Sequence, residues 1–116
     1  MTAESNTTPE AVVGRQTEAY NDQDVDAFVS CYAEDAVIAS IDGERVADGH
    51  DEIREEYEQL FEAVPDLRCE VTDEFTVDDY VVCRERVTGT GEPITAVAVY
   101  LVEDGAIRRL WLADDR

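Results

Sequence analysis

Ala19 to Ile38, AYNDQDVDAFVSCYAEDAVI, should contain the end of one helix, the whole of a second and the approach to a first strand. Asn21 and Asp22 favour a break, because short polar side chains bond the local backbone in competition with the helix. Asp24 can then cap a new helix by accepting free amides of its first turn, and Asp26 sits well against the positive end of the helix dipole. Val25, Phe28, Val29 and Tyr32 recur at helical spacing and give that second helix one apolar stripe to bury. A strand is expected over Ala36 to Ile41, closed by a tight turn at Asp42-Gly43.

Toward the N-terminus, residues 1–8 are small and polar and are expected to form a flexible tail, leaving residues 9–116 as one domain. Thr8 can cap a first helix, and Pro9 suits its first position because it has no amide to satisfy. Val12, Val13, Gln16, Ala19 and Tyr20 follow at helical spacing, with Gln16 the polar interruption of an apolar face. Toward the C-terminus, Asp48 is expected to cap a third helix running to about Ala63 and ended by Pro65. Its stripe is Ile53, Tyr57, Leu60, Phe61 and Val64. Alternating strands follow over Leu67 to Thr72 and Tyr80 to Thr88, and Ile94 to Val102 is almost continuously apolar, as a central strand covered on both sides would be. Glu103-Asp104-Gly105 makes a hairpin into a last strand, Ile107 to Ala113.

The 116 residues include 29 acidic and 9 basic ones, a formal net charge of −20, and every basic residue is Arg. Carboxylates at this density repel one another unless salt screens them, so the composition points to a high-salt cytoplasm. Nucleic acid is an unsuitable partner for such a field. No apolar run approaches a membrane span and no signal pattern opens the chain, so a soluble cytoplasmic protein without a membrane partner is expected. Cys31, Cys69 and Cys83 have no metal-ligand spacing and suggest no disulfide framework; no metal and no cofactor are expected.

The order of several short words carries a family resemblance. Tyr20-Asn21, Asp24, Asp26-Ala27-Phe28, Tyr32-Ala33 and Asp35-Ala36 resemble the opening of nuclear-transport-factor-2-like proteins, in particular the SnoaL-like polyketide cyclases and the ketosteroid isomerases. The similarity continues through Gly49, Ile53, Arg54, Tyr57, Phe61, Pro65-Asp66-Leu67, Gly89-Thr90, Glu103-Asp104-Gly105, Ile107 and Trp111. The resemblance implies an α+β fold, a cystatin-like cone-shaped barrel in which three N-terminal helices pack on a curved, mostly antiparallel sheet around a pocket. It also implies homodimers paired through the sheet.

Set against the ketosteroid isomerase pattern, Gln16 stands for the Tyr donor, Ser40 for the Asp base and Ala98 for the later acid, with Tyr57 retained; isomerase activity of that type is rejected. Set against the SnoaL-like pattern, Gly91 and Leu110 stand where His would be, and Asp115 is the nearest match to the acid or base, with Asp114 one register step away. A solvated chain end is the plain alternative for both. Glu85 shares one alternating face with Val81, Cys83 and Val87 and could enter the pocket. In the opposite phase Arg84 and Arg86 would enter instead, and on an edge strand all three would be solvated. The lone His50, among acids at a helix start, is expected to be exposed.

Gln16, Ser40, Tyr57 and Trp111 are the leading candidates to line the pocket, and Tyr20, Tyr32 and Phe61 join them as ligand-binding candidates. The expected role is binding of a small apolar or aromatic molecule. The alternatives are a cofactor-free acid/base enzyme of cyclase, isomerase or hydratase type using Asp115 or Glu85, and a non-catalytic dimeric interaction domain.

Overall fold

The computed structural model describes residues 8–115, the last two as backbone only. Helix α1 spans Pro9–Asp22; the Thr8 hydroxyl accepts from the Ala11 amide at 3.2 Å, satisfying one of the free donors of the first turn. The helix stops where Gln23 takes a left-handed conformation, φ 58°, and the Gln23 side-chain amide donates to the carbonyls of Val64 and Pro65 at 3.1 Å each. Helix α2, Val25–Ser30, starts on Asp24, whose carboxylate accepts the Ala27 amide at 3.1 Å.

The second helix is shorter than its apolar stripe predicts. Strand β1 already runs from Tyr32 to Ser40, so Tyr32 belongs to the sheet and not to the helix. Long-range bonds account for the change: the Cys31 carbonyl accepts the Ile107 amide, and the Tyr32 carbonyl accepts His50 Nε2 at 2.6 Å. The turn at Asp42-Gly43 leads into a short strand the periodicity did not reveal, β2, Arg45–Asp48. Helix α3, Gly49–Ala63, follows at once. Asp48 is its N-cap by position, yet its side chain makes no capping bond. Instead it pairs with Arg45, while the Asp48 amide donates to Glu52 at 2.9 Å.

Strands β3, Arg68–Val77, β4, Tyr80–Thr88, β5, Ile94–Glu103, and β6, Ala106–Asp115, complete one six-stranded sheet in the order β2-β1-β6-β5-β4-β3. All pairs are antiparallel except β1 with β6. Register shifts at Ile38/Ala39, Val71/Asp73 and Leu101/Val102 bend the strands and let the sheet wrap round the helices. Burial alternates along β4 and β5, with Val81, Cys83, Glu85, Ala96, Ala98, Tyr100 and Val102 inward. Phe28, Ile38, Ile53 and Ile107 are at most 1% exposed and form the centre of the core with Val12 and Val13.

Two contacts fix this edge of the sheet, one to helix α1 and one to the connection between α3 and β3. Asn21 donates to the Cys69 carbonyl at 2.9 Å and accepts the Cys69 amide at 2.7 Å, so one side chain satisfies both backbone groups on the open edge of β3. Gly89, φ 96°, lies so close to residue 66 that an added Cβ would stand 2.2 Å from the Asp66 carbonyl oxygen; only glycine fits there.

Candidate functional site

Between the helices and the inner face of the sheet lies a partly open cavity of about 250 Å³. It exists because β5 carries small residues where β4 carries its polar one: Ala96 pairs directly with Glu85, and Ala98 with Cys83. Gln16, Thr17 and Tyr20 from α1, Phe28 from α2 and Tyr57 and Leu60 from α3 form one wall. Glu85, Ala96, Tyr100 and Leu112 form part of the other, and Thr90 and Ile94 bring in the β4–β5 connection.

Among the described residues Glu85 is the one charged residue in that lining, and it is 7% exposed. The Tyr100 hydroxyl donates to its Oε2 at 3.0 Å. Burial raises its pKa, because a carboxylate loses the water that stabilises its charge; hydrogen bonds from Tyr100 and the Cys69 thiol partly offset that rise. Arg84 and Arg86 flank it in sequence and point the other way, to solvent. The inward phase of β4 is therefore the one adopted. Its neighbours Tyr20, Tyr57 and Cys69 have pKa values raised by burial first and by the Glu85 charge in addition, so they remain protonated donors. The Cys83 thiol is pushed up to about 12 by burial, then by Glu85 and Glu74, which leaves it a poor nucleophile.

The phenol hydroxyls of Tyr20 and Tyr57 have no hydrogen-bond partner among the described residues, and both side chains line the cavity. Gln16 is engaged: its Oε1 accepts from the Tyr32 hydroxyl at 2.7 Å, and its Nε2 donates to Thr17 at 3.3 Å. The polar interruption of the α1 stripe is thus a satisfied buried amide that also forms part of the wall.

The remaining sequence candidates fall elsewhere. Ser40 ends β1, where its hydroxyl donates to Asp42 and accepts the Glu44 amide at 3.2 Å, so the hairpin uses it and the cavity does not. Tyr32 and Phe61 are buried behind the cavity wall, Tyr32 bonded to Gln16 and Phe61 packed edge-on to Tyr20 at 5.6 Å. Trp111 is on the outer face of the sheet, stacked on Tyr80 at 6.4 Å, because β6 directs Leu110 and Leu112 inward. The side chains of Asp114 and Asp115 lie outside the described residues. His50 is half-buried, with Nε2–H donated to the Tyr32 carbonyl, and stands apart from the cavity. Sequence reasoning missed Tyr100 and Cys69 as site residues. The available signal was their shared inward parity, Tyr100 with Ala96 and Ala98, and Cys69 paired with Val87.

These features define a small α+β protein with a mainly apolar cavity and a buried acid in its wall. The SnoaL-like domain model matches residues 13–110, and the chain belongs to that family. An uncharacterised cystatin-fold protein from Novosphingobium aromaticivorans is 32% identical over 91% of this chain and 97% of its own, with a TM-score of 0.86. A provisionally named polyketide cyclase from Sinorhizobium meliloti is 26% identical, covering 88% of this chain and 93% of its own, TM-score 0.78. A protein from Streptomyces galilaeus, provisionally named a hydroxylase, is 21% identical, covers 92% and 78%, and has a TM-score of 0.77; it shares the fold. No curated protein sequence matches the chain. Among the described residues no helix is long and apolar enough to cross a membrane.

Proposed function

We propose that the cavity binds a small, mostly apolar molecule and that Glu85 exchanges a proton with it, which makes the chain an acid/base protein whose chemistry is carried by its own side chains. The observation that carries this reading is the position of Glu85: a carboxyl group in an apolar wall, with burial shifting its pKa upward, the direction that makes a carboxyl a better acid or base near neutrality. In the charged form it takes a proton from the ligand. The Tyr20 and Tyr57 hydroxyls, protonated and unengaged, can donate to a ligand oxygen as charge develops there. A volume of about 250 Å³ lies just below the about 300–1,000 Å³ of drug-sized sites, which suits a molecule of about one or two rings.

The test is deuterium exchange at the α-carbons of 2-indanone, followed by proton NMR. Wild type should accelerate it by about 100-fold or more over buffer, and Glu85→Gln should lose that acceleration while the ketone still shifts the Tyr57 and Leu60 resonances. Binding without exchange in wild type would reduce the reading to ligand binding alone.

Two further expectations accompany it. Pairing through the outer face of the sheet is favoured by the exposure of Phe75, Val77, Tyr80 and Val97 there, between 41% and 58%. Work in concentrated salt is favoured by the net charge of −20; a melting curve unchanged between about 2 M and about 20 mM KCl would remove that expectation.

A further inference from the structure

We infer that the ligand is a small organic cation, a protonated amine on an apolar body, with its ammonium group against the Glu85 carboxylate and among the rings of Tyr20, Phe28, Tyr57 and Tyr100. The inference rests on the cavity being a ligand site, and it adds the chemical class. Three observations carry it.

The first is that no counter-charge stands against Glu85 among the described residues. The ion pairs of Arg45, Arg54, Arg84 and Arg108 are made with Asp48, Asp26, Asp73 and Asp35, all on the surface. None reaches Glu85, whose hydrogen-bonding neighbours are a phenol and a thiol. An ionised carboxyl can accept about four hydrogen bonds, so acceptor capacity remains, and a buried charge is costly until something of opposite sign arrives. A ligand ammonium supplies both the donors and the charge.

The second is the arrangement of rings. Tyr20 stands 6.1 Å from Phe28 and 6.4 Å from Tyr57, and Phe28 stands 4.5 Å from Tyr57, measured between ring centroids. All three line the cavity, with Tyr100 on the opposite wall beside the carboxylate. Ring faces attract a desolvated cation within about 6 Å, and they solvate the apolar remainder of the same molecule. The third is the surrounding field. A net charge of −20 favours cations over carboxylates and phosphates near the molecule wherever salt does not screen it, and Glu85 opposes an anionic ligand at its destination.

Calorimetric titration of the full chain with benzylammonium, benzyl alcohol and phenylacetate, in about 0.5 M KCl to screen the surface, tests this. One equivalent of benzylammonium should bind at least about tenfold more tightly than benzyl alcohol, with phenylacetate weakest. Glu85→Gln should bring benzylammonium to within about twofold of benzyl alcohol while leaving benzyl alcohol binding intact; Glu58→Gln, on the exposed face of α3, should leave the preference unchanged. If Glu85→Gln does not fold, the carbon-13 shift of the Glu85 carboxyl in wild type replaces it, and saturation with benzylammonium should move it. Equal or tighter binding of the alcohol in wild type, a preference that survives Glu85→Gln, or an unmoved carboxyl resonance at saturation overturns the assignment of a cation while leaving the cavity a ligand site. If none of the three compounds binds, both readings fall together.

Discussion

The two faces of strand β4 obey opposite rules. Outward, Arg84 pairs with Asp73 at 3.3 Å, both 63% exposed, and the charge stays in water where it costs little. Inward, Glu85 is buried with no cation opposite it among the described residues. The apolar residues are reversed in the same way: Val81 and Cys83 are fully hidden, whereas Phe75, Tyr80 and Val97 on the outer face stay exposed. A sheet selected for stability alone would bury its oil and solvate its acid on both sides. Each departure is a free-energy debt that folding leaves open; as proposed above, a ligand settles it for the acid within and a second copy for the apolar face without.

The largest effect expected from breaking this contrast lies on the outer face. Val97→Asp should weaken self-association by about 100-fold or more in sedimentation equilibrium, because it replaces an apolar contact of the proposed pairing surface with a charge that must be desolvated. The cavity should still bind benzyl alcohol as before. Tyr100→Phe comes next. It removes the phenol that donates to Glu85, so unfolding in urea should show a loss of about 1 kcal/mol, and the Glu85 pKa should rise further.

The third probe uses pH. Because burial raises the folded-state pKa of Glu85, the folded chain binds more protons than the unfolded one above pH 4.5, the ordinary glutamate value. The stability this confers is whole below that pH and is lost as pH climbs through the folded value. The groups facing Glu85 are Tyr20, Tyr32, Tyr57, Tyr100, Cys69 and Cys83, all of which stay neutral through that range. Glu85→Gln should therefore melt close to wild type at pH 4 and a few degrees above it at pH 8. A gap that narrows as pH rises would contradict the assignment. The smallest effect should come from Arg84→Ala, which removes only a solvated pair and should change stability by less than about 0.5 kcal/mol.

Much of this architecture could be read from the residues themselves. Thr8 and Asp24 announce helix starts through a short-range bond, and the alternation of β4 and β5 needs only neighbours in sequence. What could not be read depends on distant partners. Tyr32 continues the apolar stripe of α2 perfectly well as a helix residue; Ile107 and His50, far along the chain, draw its backbone into the sheet. Strand β2 is four residues long, with only Ala47 buried, and owes its existence to pairing with β1. The site was legible in part for the same reason. Glu85, Gln16, Tyr20 and Tyr57 were candidates by face and by resemblance, and the structure gathers them round one cavity. Ser40 and Trp111 were placed by alignment alone, and neither a hairpin's claim on a hydroxyl nor the outward parity of a late strand was visible from that. Tyr100 was missed because nothing in the sequence says that its hydroxyl meets an acid fifteen residues earlier.

The clasp of Asn21 on Cys69 has a consequence beyond holding helix to sheet. Strand β3 is the outermost ribbon on its side, and an uncovered ribbon of this kind invites further chains to add on, rung by rung, into fibres. By occupying both polar groups of Cys69 with one amide, the helix denies a newcomer its first foothold on the stretch of edge beside the cavity, so that stretch offers no seed for amyloid.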